Sequence, residues 1–145
     1  MTRPLAILSL LLFPGVAFAN ADKIANAMKA GPPELAAQAT IRDWDGSVLR
    51  KGMNGWTCLP DMPRTKEDDP WCVDASWLNF LIALRDRKDP TYTKPGLAYR
   101  LTKNEIVLID PDPNAFKGLP RNESEGGPWV MWDNTPYRHL MVPLE

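Results

Sequence analysis

The sequence predicts an α+β fold: one main helix packed on a small, mostly antiparallel sheet, with long Pro-rich loops and one disulfide. Three observations carry this. A single stretch, beginning at Asp74, has a strong helical apolar stripe: Trp77, Leu81 and Leu84, widened by Leu78 and Phe80. Short strand-like runs elsewhere are separated by turn dipeptides such as Asp45-Gly46 and Asn54-Gly55. Finally, 15 prolines in 145 residues favour ordered turns over long helices.

The N-terminus comes first. Arg3, the apolar run Leu5–Phe13, the Pro14-Gly15 break and Ala17-Phe18-Ala19 form a secretory signal peptide over residues 1–19, cut after Ala19. The apolar run is too short for a membrane span of about 30 Å, and no transmembrane segment follows. The expected home is therefore periplasmic or secreted, with residues 20–145 forming one globular α+β domain. Removing the leader and its one charge leaves 16 basic against 18 acidic residues. That balance, with no concentrated basic surface, argues against nucleic acid as a partner.

The elements follow in order. Asp22–Lys29 reads as a short helix stopped by Gly31-Pro32-Pro33, with another helical turn at Glu34–Ala37. Ala39–Trp44 and Ser47–Lys51 read as a hairpin about a two-residue type I′ turn at Asp45-Gly46, pairing Asp43 with Val48 and Arg42 with Leu49. Trp56–Cys58 is a short strand, and Leu59–Trp71, with the charge run Lys66–Asp69, a surface loop. Asp74 N-caps the main helix, cations in its last turn suit the helix dipole, and Pro90 ends it. Leu97–Thr102 and Glu105–Asp110 form a hairpin about Lys103-Asn104. Gly118–Pro128 is an exposed loop, and Trp129–Trp132 and His139–Val142 are the last strands.

Cys58 and Cys72 are the only cysteines, and in an oxidising compartment they are expected to pair. The bond would pin the loop between them and staple it to the main helix, with Trp56 and Trp71 covering it.

Candidate chemistry is sparse. His139 is the only histidine and the one residue whose ordinary pKa suits proton transfer near neutrality; its strand would point it with Met141, opposite Leu140 and Val142. Asp110, Asp112 and Asn114 resemble the start of a calcium loop, but Ala115 and Arg121 stand where Gly and Glu are needed. No metal or other cofactor is therefore implied. Trp129 and Trp132, three apart, should face opposite ways, one core and one exposed; Trp56, Trp129, Trp132 and His139 are the candidate ligand-binding residues. Asp68-Asp69 and Asp43/Asp45 are the remaining acidic pairs, the first read as solvated and the second as partly used by a turn.

The stretch Arg42–Pro60, with Asn54-Gly-Trp-Thr-Cys58 as its most specific piece, together with Cys72-Val-Asp74, Gly96-Leu-Ala-Tyr99 and His139-Leu-Met-Val-Pro143, resembles a family of small exported bacterial proteins of unassigned function. The resemblance implies a periplasmic or secreted home and suggests one site formed by the Asn54–Cys58 turn and the His139 strand. The favoured reading is a non-enzymatic envelope domain that binds a small molecule or another envelope protein, since abundant Trp and Pro build rigid, shaped surfaces. The alternatives are a small hydrolase using His139 with a carboxylate or metal, and a structural envelope component.

Overall fold

A computed structural model describes residues 15–63 and 65–144. Three helices, α1 (Gly15–Ala27), α2 (Pro33–Gln38) and α3 (Ala75–Asp86), accompany eight strands: β1 (Thr40–Arg42), β2 (Val48–Arg50), β3 (Thr57–Leu59), β4 (Trp71–Val73), β5 (Gly96–Arg100), β6 (Glu105–Ile109), β7 (Trp129–Met131) and β8 (His139–Pro143). One sheet holds all eight in the order β2-β1-β3-β4-β5-β6-β8-β7. Only β1 and β3 run parallel. The fold is α+β, but the expectation of one main helix gives way to helices on both faces. Residues 1–14 of the expected leader lie outside the described residues. Ala19 and Asn20, on either side of the expected cut, lie within α1 and are exposed.

Strand periodicity divides the apolar residues between two faces. On one, α3 lays Trp77, Phe80 and Leu81 over Val73, Ala98, Val107, Ile109, Trp129 and Met141. The Trp77 indole N–H donates to the Val107 carbonyl at 2.8 Å, so the most deeply buried of the core tryptophans has its polar atom paired. On the other face, α1, α2 and the residues just after each cover Ile41, Cys58 and Cys72 with small side chains: Ala27, Ala30, Ala36 and Ala39. Farther along that face, Phe116 covers Val130 and Leu140.

The Asp74 cap is as expected: one carboxylate oxygen accepts from Trp77 N–H at 2.9 Å. The other accepts from Leu97 N–H at 2.8 Å, tying the helix start to β5. At the far end Arg87 takes a left-handed conformation and Lys88 N–H reaches back to Ala83 O.

Cys58 and Cys72 are bonded. They are cross-strand partners on β3 and β4, so the bond closes the base of the 59–71 loop within the sheet rather than fastening the loop to α3. Trp56 packs on the disulfide side, against Tyr99 at 5.7 Å. Trp71, one residue from Cys72, points to the opposite face and joins the α3 core instead.

The first hairpin keeps its expected register at Ile41–Arg50 but departs from it nearer the turn, where an irregularity between Ile41 and Arg42 leaves Arg42 opposite Val48 instead of Leu49. Only Gly46, at φ +93°, is left-handed there, so the turn is not type I′. Gly46 N–H bonds Asp43 O, and the Asp45 carboxylate caps Ser47 N–H at 2.8 Å, lengthening the connection. A glycine is required at 52, where a Cβ would lie 2.2 Å from the Ala39 carbonyl carbon.

Candidate functional site

The α3 face of the sheet is not fully filled. Near β7 and β8 it opens into a cleft of about 260 Å³. Trp71, Trp77, Phe80, Leu81 and Leu84 form its apolar walls, and Met62 reaches in from the disulfide-closed loop. His139 and Met141 from β8, Met131 and Trp132 from the end of β7, and Arg100 from β5 complete the lining.

His139 is the centre of this arrangement. It is only 5 % exposed. Its ring lies edge-on to Trp77 and Phe80, both at 5.7 Å, and to Trp132 at 5.3 Å. Nδ1 is 2.8 Å from the Tyr137 carbonyl. A carbonyl only accepts, so Nδ1 carries the hydrogen and Nε2 is left with its lone pair. Among the described residues Nε2 has no hydrogen-bond partner. Burial holds the imidazole below its ordinary pKa; the Tyr137 carbonyl opposes this, and the nearby Arg100 charge adds to the lowering. The ring is thus a neutral donor of one electron pair at neutral pH.

Trp132 overlies this ring and is 47 % exposed. Its φ of +53° ends the β7 ladder, at a cost on the order of 1 kcal/mol for a bulky side chain. The Trp132 carbonyl accepts from Thr135 N–H and Oγ1, at 3.2 and 2.7 Å, which fastens the turn. Tyr137 then ties it to the segment just after α3 by donating to Lys88 O at 2.8 Å. A buried polar atom on the wall, Trp71 Nε1, has no hydrogen-bond partner among the described residues.

At the edge of the cleft, Arg100 stacks on Trp71 at 5.1 Å and grips Asp69 through Nε and Nη2, at 2.8 and 3.1 Å. Glu105 lies 3.6 Å from the same guanidinium. Desolvation works against the charged guanidinium, but Asp69 and Glu105 outweigh it and raise its pKa. Asp69 is 2 % exposed, so the charge run read as solvated turns inward at its last residue. Asp68 stays outside, with Lys29 at 3.0 Å.

The other candidates lie apart from this cleft. Trp129 shares the α3 face but is core, and Trp56 is on the disulfide face. The Asn54–Cys58 turn is not brought to the His139 strand: β4, β5 and β6 lie between β3 and β8. Asn54 instead shapes its own turn, accepting from Trp56 N–H at 3.1 Å and donating to Leu35 O at 2.8 Å. Asp110 and Asp112 cap Asp112 N–H and Asn114 N–H, each at 2.8 Å. Arg138 occupies the carbonyl side of that turn, bonded to the oxygens of Asp110, Asp112 and Pro113, so a guanidinium already supplies the positive charge there. Among the described residues, no three His, Cys, Asp or Glu side chains gather as a metal cluster. Two other depressions have comparable size, about 230 Å³ beside Trp44 and about 300 Å³ beside Lys23. Lys23 and Asn26 at the second are already bonded to Asp43 and Asp61. Neither contains a free imidazole.

Residue-type reasoning picked out His139 and Trp132 and missed Met62, Met131, Met141, Trp71 and Arg100. The signal in the chain was a Met immediately before Trp132 and another two residues after His139, both on short strands. Comparison with protein-family models, curated proteins and solved structures finds no match to this chain.

Proposed function

We propose that this is an exported, non-catalytic domain of the cell envelope that receives a small ligand in the cleft beneath Trp132. The observation that carries this reading is a buried, neutral histidine with an unpaired nitrogen, in an aromatic cleft roofed by a half-exposed tryptophan. Concave, largely apolar sites with a few unpaired polar atoms are where small ligands bind. The left-handed strain at Trp132 is of the kind that gathers at ligand clamps. Hydrolysis has less support: His139 Nδ1 is held by a backbone carbonyl, not by the orienting carboxylate a catalytic base uses. Export is supported by the signal-peptide pattern and by the disulfide. No described helix is long and apolar enough to cross a membrane.

The test is titration of the purified chain with the apolar fluorophore N-phenyl-1-naphthylamine. Saturable one-to-one binding is expected, weakened about 10-fold or more in Trp132→Ala, the loss of one aromatic contact surface. Absence of saturable binding, or equal binding by the variant, refutes the cleft as the site. N-terminal sequencing of the chain recovered from the envelope fraction should begin at Asn20; an intact Met1 would refute export by cleavage.

A further inference from the structure

We propose that the cleft holds a soft monovalent metal ion of the Cu(I)/Ag(I) class, bound by the thioethers of Met131 and Met141 and by His139 Nε2, with Met62 closing from the loop. This rests on the cleft reading above and names its ligand.

Strand register puts the donors together. Met131 is the cross-strand partner of His139, and Met141 follows His139 by two residues. Paired and i+2 residues share a sheet face, with side chains about 5–7 Å apart at Cβ. All three face α3, and with Met62 they line one cleft. Three of the chain's six methionines are thereby gathered at one place. Met62 and Met131 are partly open at the cleft, and Met141, buried at 2 % exposure, forms part of the same lining from the core side.

The donor chemistry selects the ion. Thioethers are soft and uncharged, and together with imidazole they suit Cu(I) rather than calcium, magnesium or manganese, which take oxygen ligands. Among the described residues, no carboxylate lines the cleft. Asp69 and Glu105 are drawn to Arg100, and Glu105 pairs with Pro143, four residues from His139 along β8, about 13 Å at strand rise. Asp69, bonded through both oxygens to Arg100, offsets the one cation lining the cleft, and the ring of Trp132 offers a further favourable surface to a cation. Thioether is also the soft ligand this chain has to spare, since both cysteines are consumed by the disulfide.

The experiment titrates the full chain with Ag(I), which is redox-inert, in chloride-free buffer. Tryptophan emission and the ε-methyl NMR signals of the methionines are followed. Saturation at one equivalent is expected, with tryptophan quenching and shifts at Met131 and Met141 but none at Met53, which is 88 % exposed on another part of the surface. The volume-conserving Met131→Leu/Met141→Leu double variant should lose at least about 100-fold in affinity, more than loss of a supporting group usually costs. Met53→Leu should bind as the parent does. Failure to reach stoichiometric binding, shifts confined to Met53, or undiminished affinity in the double variant overturns the proposal. The methyl shifts of the parent decide the matter even if the double variant does not fold. Fluorophore binding without Ag(I) binding leaves the cleft standing and removes the metal; loss of both removes both.

Discussion

Reducing the Cys58–Cys72 bond should destabilise the fold by about 3 kcal/mol. The two sulfurs are 14 residues apart in sequence and join neighbouring strands already paired by backbone hydrogen bonds. Their contribution therefore lies in the unfolded chain, where the cross-link forbids the open conformations of a 15-residue loop. The chain-entropy relation gives about 10 cal/mol/K for that length, hence about 3 kcal/mol at room temperature. Unfolding entropy of roughly 2.1 cal/mol/K per residue over about 126 residues converts this to a fall in Tm of about 11 °C. Urea unfolding of the oxidised and phosphine-reduced chain measures it directly. Reduction leaves both sulfurs in place, so no cavity term enters. The reduced chain should also show a larger m value, because its unfolded state exposes more surface. The double variant Cys58→Ala/Cys72→Ala should lose more than the reduced chain, since both cysteines are fully buried against Ala27 and Ala36. A reduced chain within about 0.5 kcal/mol of the oxidised one, with an unchanged m value, would refute the loop-entropy argument.

His139 should impose a pH dependence of stability. Its folded pKa lies below the ordinary 6.5, so between the two values the unfolded chain holds the extra proton. Stability is then complete above about pH 6.5 and falls as pH drops toward the folded pKa, at no more than about 1.4 kcal/mol per pH unit. His139→Gln should flatten that limb of a pH series of urea midpoints, and a persistent slope would assign it elsewhere; there is no second histidine to share it. Asp69→Ala should cost about 3–5 kcal/mol, because it leaves the half-buried Arg100 guanidinium short of its closest partner. A loss below 1 kcal/mol by calorimetry would mean that Arg100 swings out to water.

Local signals in the sequence translated well into local structure. Asp74 capped α3 because a short carboxylate before an apolar stripe satisfies an orphan N–H within three residues. The second hairpin formed between β5 and β6 because both strands are adjacent in the chain. The two cysteines paired because nothing else in the chain competes for them. What stayed hidden depended on partners far away. Nothing near Asp69 announces that Arg100, 31 residues on, draws it inward. The Asp45-Gly46 pair suggested a tight two-residue turn, yet Asp45 caps Ser47 N–H and an irregularity between Ile41 and Arg42 shifts the pairing next to the turn, leaving Ile41–Arg50 in place. The face of each tryptophan was legible only where the strand was regular: Trp129 obeyed alternation, whereas Trp132 left its strand through a positive φ and came to rest over His139. The methionines escaped notice because their meaning arises only when β7 and β8 are laid side by side.

The placement of β8 has a consequence for how the molecule is made. This late strand is not at an edge; it lies between β6 and β7, bonded to both. A nascent chain emerging from the ribosome therefore cannot zip up the far third of the sheet until residue 143 has cleared the exit. Until then β7 lacks its neighbour and the histidine pocket has no floor. Such a topology makes completion of the His139 cleft depend on a strand slotted between two others rather than added at a free edge.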